Sequence, residues 1–172
     1  MDISKRIYTA FLAAVAFWCL MIVAAPALHA VGGTAGEFLS TILYGGFSRI
    51  CHQMDSRSLH FLGEKFGVCV RCTTIYFSFF AGLVLYPFLR SLNARNLPHP
   101  AWIALAVAPM ALDAALNDLG IFLSTEVSRV ITGAAAGFIF AFYILPVFIE
   151  ATTQLLVHRS LQGDSHHAGK TQ

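Results

Sequence analysis

Four long apolar runs limit what this chain can fold into more than any other feature of its sequence. They cover residues 7–28, 73–89, 101–123 and 130–157. A helix rises ~1.5 Å per residue, so about 20 apolar residues cross the ~30 Å hydrocarbon core of a bilayer. The composition agrees, because 57% of the residues are hydrophobic, 12% are charged and the mean hydropathy is +0.68, unlike a soluble domain. The sequence therefore predicts an integral membrane protein with four transmembrane helices.

Helices are the form that these runs are expected to take. A strand of a membrane barrel alternates apolar and polar residues over ~10 positions, whereas residues 103–112 are apolar on every face. A helix also satisfies its backbone amides internally, as lipid requires. The predicted fold class is all-α, an integral membrane four-helix bundle with a long first exofacial loop. We expect a single domain over residues 1–161 and a disordered polar tail over residues 162–172.

The first run has the features of a retained signal anchor. Lys5 and Arg6 precede it, and the small residues Ala25 and Ala27 lie near its end, as in a secretory signal peptide. The apolar core of a signal peptide is ~7 to 15 residues long, and this run is longer. We therefore expect the first helix to stay in the membrane, with both chain termini on the same side.

Basic residues in the short segments between helices favour one orientation. With the N-terminus inside, six lysines and arginines lie inside and five outside, and the basic pair before the first helix is on the inner side, as is usual in membrane proteins. We predict a multi-pass protein of the cell inner (cytoplasmic) membrane, N-in and C-in, with the loop of residues 29–72 outside. Its partner is the lipid bilayer, and a homo-oligomer is compatible with this placement. The basic residues are scattered, which argues against a nucleic-acid partner.

The long first loop is predicted to carry local structure. Residues 38–44 are apolar but too few to span a membrane, so we expect them to lie at the interface and to end near Gly45 and Gly46. The polar residues that follow predict a short helix over the mouth of the bundle.

Three cysteines in this loop point to soft-metal chemistry. Cys69 and Cys72 are separated by two residues, a spacing that lets two thiolates converge on one ion or form one disulfide. Cys51 is the third thiol, and His52 or His60 is the alternative fourth ligand. Zinc is the ion that three thiolates and an imidazole predict, and iron is the other candidate. The plain alternative is a disulfide that staples the loop.

Polar residues inside the third run predict a second part of the site. Asp113 and Asn117 are four positions apart and share one face of a helix, next to Asp118. A carboxylate at the centre of a membrane helix costs ~2.5 to 3.5 kcal/mol on insertion scales, so it needs a partner or a wet cavity. Arg129, at the start of the fourth run, is the expected counter-charge for Asp113 or Asp118. The alternatives are a plain salt bridge between helices and a small carrier or channel lined by the aspartates.

Further polar residues are expected to support the thiols. Gln53, Arg57 and Asp113 are predicted to surround and orient the ligands, with Gln53 as the contact to a bound cofactor. Arg71 lies between the two cysteines of the pair and is expected to favour the thiolate. The candidates for a catalytic role are therefore Arg57, Arg71, Asp113, Asn117, Asp118 and Arg129.

At these residues the chain resembles a family of small bacterial and archaeal predicted membrane proteins of unknown function, the domain family numbered 2085. The resemblance covers most of the chain. It is carried by Cys51-His52-Gln53, Arg57-Ser58, Gly67-Val68-Cys69-Val70-Arg71-Cys72-Thr73, Ile75-Tyr76, Asp113 with Gly120, and Arg129 with Thr132-Gly133. It implies that these residues belong together, and it implies no particular activity.

The position of Cys69 and Cys72 at the outer start of the second helix is also similar to that of the reactive pair in quinone-linked disulfide-generating membrane proteins. This resemblance implies thiol-disulfide exchange, with a quinone as electron acceptor and Cys51 as a resolving thiol. Those proteins carry a second cysteine pair in the other outer loop, which here, at residues 123–129, has no cysteine. Metal binding is therefore the first predicted function, and quinone-linked exchange is the alternative.

Overall fold

Helices dominate the computed structural model, which describes residues 2–94 and 96–168, with side chains through residue 158. Four helices in this part of the chain are long and apolar enough to span a membrane. They are α1 (Ile3–Val31), α3 (Val70–Leu89), α4 (Ala101–Asp118) and α5 (Glu126–Ala168), and a shorter helix, α2 (Thr34–Phe47), follows α1. The predicted all-α fold with four spanning helices is confirmed.

The loop between α1 and α3 and the connection between α4 and α5 lie at the same end of the bundle. At that end Arg71 of α3 forms an ion pair with Asp113 of α4. At the opposite end Asn93 Nδ2, between α3 and α4, donates to Asp2 Oδ2 at 3.4 Å. The cysteine loop is therefore at the end away from the N-terminus, while the side of the membrane that it faces stays a prediction.

Small residues let α3 and α5 pack against each other more extensively than any other pair of elements. A Cβ atom at Gly137 would overlap the carbonyl oxygen of Ile75 and the hydroxyl of Ser78, and one at Gly82 would lie 2.7 Å from Ala141 Cβ. Glycine at these positions allows the two backbones to approach closely. Toward the N-terminal end the core joins α1, α3 and α5 through Ile7, Leu83, Tyr86, Ala141, Leu145 and Ile149.

Helix α2 (Thr34–Phe47) folds back on α1 and extends beyond the predicted run of residues 38–44 at both ends. Its Ser40 hydroxyl is buried and donates to Ala25 O at 2.9 Å. The helix runs through Gly45 and Gly46, where we expected it to end, and stops at Phe47. Packing on α1 and burial of Phe47 outweigh the ~1 kcal/mol by which a glycine disfavours a helix.

A hairpin replaces most of the short helix predicted after α2. One turn of 3-10 helix (Asp55–Arg57) is followed by two short antiparallel strands, β1 (His60–Phe61) and β2 (Glu64–Lys65). The two residues between the strands, Leu62 and Gly63, have φ values of 55° and 84°. Positive φ at both positions is the geometry of a tight hairpin turn, so the backbone reverses where a helix would have continued.

Two helix ends also differ from the expected positions. Helix α4 stops at Asp118 rather than at residue 123, because the Ser124 backbone N–H donates to Asn117 Oδ1 at 3.1 Å and the chain turns through Gly120, whose φ is 69°. Residues 162–168, expected to be disordered, continue the helix of α5. Residues 169–172 lie outside the described residues, and the domain limit at residue 161 stays a prediction.

Candidate metal centre

Three cysteine sulfurs meet where the first loop joins α3. The Sγ atoms of Cys51, Cys69 and Cys72 all lie within 4.8 Å of one another, and all three cysteines are free thiols. Zinc–sulfur bonds of ~2.3 Å in a tetrahedron place two sulfurs about 3.8 Å apart. The arrangement is therefore close to the one that three thiolates on one ion require.

Each cysteine is positioned by a different local structure. Cys51 follows α2, where its backbone N–H donates to Phe47 O at 3.0 Å, and it is only 7% exposed within an apolar cluster. Cys69 occupies the N-cap position of α3, and Cys72 lies in the first turn of that helix. The backbone N–H of Cys69 donates to Cys51 Sγ at 3.2 Å. The folding of α2 against α1 thus brings the isolated cysteine to the spaced pair.

The start of α3 favours a negative charge on Cys69. The hydrogen bond from the Cys72 thiol is the largest effect on this group, and with those from the Cys51 thiol and neighbouring backbone groups it outweighs burial and lowers the pKa of Cys69 to about 5. Partial positive charge at a helix N-terminus acts in the same direction. The lowered pKa favours the thiolate form of Cys69, the form in which cysteine binds metal ions.

Neither histidine predicted as a fourth ligand joins the sulfurs. Among the described residues, the group of potential ligands within 4.8 Å of one another contains the three cysteines and no histidine nitrogen. His60 is exposed on β1, where its Nε2 lies 3.2 Å from Asp55 Oδ1. His52 is exposed beside Cys51. The hairpin places His60 apart from the thiols, and the only predicted ligands that the structure brings together are Cys51, Cys69 and Cys72.

A cavity of about 500 Å³ opens beside the three thiols. Its walls come from the first loop, the start of α3, the end of α4 and the start of α5, so it collects most of the predicted site residues. Besides the cysteines, its polar lining consists of His52, Gln53, Arg57, Arg71, Asn117, Asp118 and Arg129. The site is therefore composite, with thiols on one wall and charged groups from the membrane helices on another.

Asp113 lies outside the lining of this cavity and is paired with Arg71 rather than with Arg129. Arg71 Nη2 donates to Asp113 Oδ2, and the hydroxyls of Ser124 and Ser128 donate to the same carboxylate at 2.7 and 2.9 Å. Arg129 instead donates from Nε to Ser124 Oγ at 3.1 Å. Of the two expected partners of Arg129, Asp113 is paired with Arg71 instead, because the first turn of α3 places Arg71 against α4. Pairing of Arg129 with Asp118 stays a prediction.

Sequence reasoning missed the two serines that complete this network. Ser128 lies in the first turn of α5 and Ser124 precedes that helix by two residues, and the hydroxyls of both donate to Asp113. Because Ser124 belongs to the connection rather than to the helix, helical spacing gave no signal for the pair. Asn117 holds the same region in place, because its Oδ1 accepts from the Ser124 backbone and its Nδ2 donates to Asp118 Oδ1 at 3.3 Å.

Gln53 ties together the two segments that carry the cysteines. The side-chain Nε2 of Gln53 donates to Tyr44 O at 2.9 Å and to Gly67 O at 2.7 Å. The backbone carbonyl of Gln53 accepts from Lys65 Nζ at 3.1 Å. The residue adopts a φ of 50° to do so. The side-chain nitrogen of Gln53 thus donates hydrogen bonds to backbone carbonyls on both sides of the site. Contact between Gln53 and a cofactor stays a prediction.

Comparison with known proteins places the chain among membrane proteins. A family model described as "Predicted membrane protein (DUF2085)" matches residues 51–143, a range that contains all the predicted site residues. An uncharacterized protein of Methanocaldococcus jannaschii is 38% identical over 148 residues, which are 85% of this chain and 95% of that protein. An uncharacterized protein of Methanothermobacter thermautotrophicus is 36% identical over 92 residues, 53% of this chain and 80% of that protein. No solved structure matches the chain.

Proposed function

Since the chain belongs to the DUF2085 family of predicted membrane proteins, we propose that it is a membrane metalloprotein in which Cys51, Cys69 and Cys72 bind one ion. The observation that carries this proposal is the approach of the three sulfurs to within 4.8 Å of one another. The three thiols come from two separate segments of the chain and converge at one end of the bundle. Contact with lipid favours apolar side chains, so it does not account for the polar residues collected there.

Zinc is the first candidate ion, and iron is the second. Both bind thiolate sulfur, and three protein ligands leave a tetrahedral zinc ion one position for water or a substrate. All three cysteines line the 500 Å³ cavity, which supports an exchangeable fourth ligand from the cavity side. A zinc ion with such a position polarises an oxygen atom bound to it, so the proposed site has the ligand set of a catalytic rather than a closed structural centre.

Metal analysis of protein purified in detergent without chelator tests this proposal. We expect about one zinc or iron ion per chain in the native protein. Replacing Cys51, Cys69 or Cys72 with serine should weaken metal affinity by more than the ~10- to 100-fold that loss of a supporting hydrogen bond costs.

The matched control is Cys19→Ser. Cys19 is buried in α1, where its thiol donates to Tyr76 O at 3.6 Å, so this variant should keep its metal. Circular dichroism of each variant separates loss of a ligand from loss of the fold. Metal-free native protein, or equal metal content in Cys69→Ser and Cys19→Ser, would contradict the proposal.

Quinone-linked thiol exchange is the second candidate. It is favoured by the position of Cys69 and Cys72 on the first turn of one spanning helix, with Cys51 as a third thiol beside them. In this reaction the two thiols would form a disulfide and pass two electrons and two protons to a quinone, which becomes a hydroquinone.

Anaerobic mixing of the reduced protein with a short-chain ubiquinone tests the redox candidate. We expect loss of two thiols for each hydroquinone formed, abolished in Cys69→Ser and Cys72→Ser and retained in Cys19→Ser. Thiol counts that stay constant in excess quinone would rule it out.

A further inference from the structure

Two arginines beside the thiols have guanidinium groups that the fold leaves largely unused. Arg57, on the 3-10 turn, has no side-chain hydrogen bond or ion pair to any described residue, and Arg129 uses only its Nε, toward Ser124 Oγ. Arg71, by contrast, is neutralised by Asp113. The terminal nitrogens of Arg57 and Arg129 are therefore donors without a protein acceptor among the described residues.

Both arginines border the same space. They line the 500 Å³ cavity with the cysteines, and they also line a neighbouring cavity of about 330 Å³. The carboxylates that face them are Asp118 in the first cavity and Glu126 in the second, and both of these residues are exposed. In the cavity beside the thiols, the two unpaired guanidinium groups thus face a single carboxylate.

We infer that Arg57 and Arg129 form a binding subsite for a phosphate group in the cavity beside the thiols. A guanidinium group presents a planar pair of donors that matches phosphate oxygens, and two of them match the two negative charges of a phosphomonoester. A cavity of this size is in the range of small-molecule sites. The phosphate belongs either to a soluble phosphomonoester or to a lipid headgroup, since the cavity lies at the polar end of the membrane helices.

Titration of the protein, purified without chelator, with inorganic phosphate tests this subsite. The protein is held in dodecyl maltoside, which contains no phosphate, and binding is measured by calorimetry. We expect saturable binding that Arg57→Gln and Arg129→Gln each weaken about tenfold or more, because each variant removes charge-assisted hydrogen bonds. Arg49→Gln is the matched control, since Arg49 is exposed in the same loop but lines neither cavity, and it should leave the affinity unchanged.

Further ligands distinguish the sources of the phosphate. Tighter binding of glycerol 3-phosphate than of dioctanoyl phosphatidic acid would assign the subsite to a soluble molecule, and the reverse order would assign it to a lipid headgroup. Acetate that binds as tightly as phosphate would overturn the inference, because the site would then recognise any anion.

Metal content measured on the same samples separates this inference from the proposed metal site. If the two arginines only balance the charge of metal-bound thiolates, Arg57→Gln and Arg129→Gln will lose metal and phosphate will not bind, which overturns the subsite. Phosphate binding that needs both arginines in protein without metal supports the subsite and counts against the metal centre. Failure of phosphate to bind to protein with full metal content overturns the subsite alone.

Discussion

Replacing Gly137 with alanine is expected to destabilise the bundle by about 3 kcal/mol or more, the upper part of the range for an overpacked core. The added methyl group would overlap the carbonyl oxygen of Ile75 and the hydroxyl of Ser78. The first of these is a backbone atom, so α3 and α5 must move apart to make room. That movement would weaken the most extensive helix contact in the protein, and reversible unfolding in sodium dodecyl sulfate, followed by circular dichroism, measures the loss.

The matched control is Gly45→Ala. Gly45 also lies inside a helix, α2, but a methyl group there meets nothing within 4 Å. Alanine favours a helix by ~1 kcal/mol over glycine, so this variant should be as stable as the native protein or slightly more stable. Equal unfolding midpoints for Gly137→Ala and Gly45→Ala would show that the close approach of α3 and α5 does not limit stability.

The spanning helices could be predicted because hydrophobic length alone decides them. Residues 73–89 were expected to span the membrane, because an apolar run of that length is most stable in the hydrocarbon core of a bilayer. They form the greater part of α3. The end of α4 could not be predicted in the same way. Residues 119–123 are nearly all apolar, yet a contact between Asn117 and the Ser124 backbone turns the chain out of the helix. Such a contact depends on where α5 begins, which hydropathy does not encode.

The candidate site, too, could be predicted only in part from the sequence. Cys69 and Cys72 lie close together because only two residues separate them at the start of a helix. The sequence also indicated that Cys51 joins them, as the structure shows. The partner of Asp113 could not be chosen from the sequence, because Arg71 and Arg129 are both near it in the topology. The choice between them depends on how α3 is rotated about its axis against α5, which the spacing of charged residues in the sequence does not encode.

The second large effect is expected at the ion pair between α3 and α4. Replacing Asp113 with alanine should cost about 3–5 kcal/mol, the usual result of removing one partner from a buried pair. The side chain of Asp113 is 9% exposed and that of Arg71 is 21% exposed. The substitution leaves the guanidinium group and the hydroxyls of Ser124 and Ser128 without their common acceptor. Asp118→Ala is the control, because Asp118 follows on the same helix but is exposed, and it should change the unfolding free energy far less.

A second pair of substitutions identifies the partner of Asp113. Replacing Asp113 with leucine and Arg71 with methionine together should recover much of the lost stability, since apolar residues of similar volume can replace a buried ion pair. A double-mutant cycle between Asp113 and Arg71 should therefore give a coupling near the upper end of the ~0.5–3 kcal/mol found for contacting residues. The cycle between Asp113 and Arg129 should give less, because Arg129 reaches the carboxylate only through the Ser124 hydroxyl. A larger coupling to Arg129 would mean that the start of α3 does not hold α4 in place.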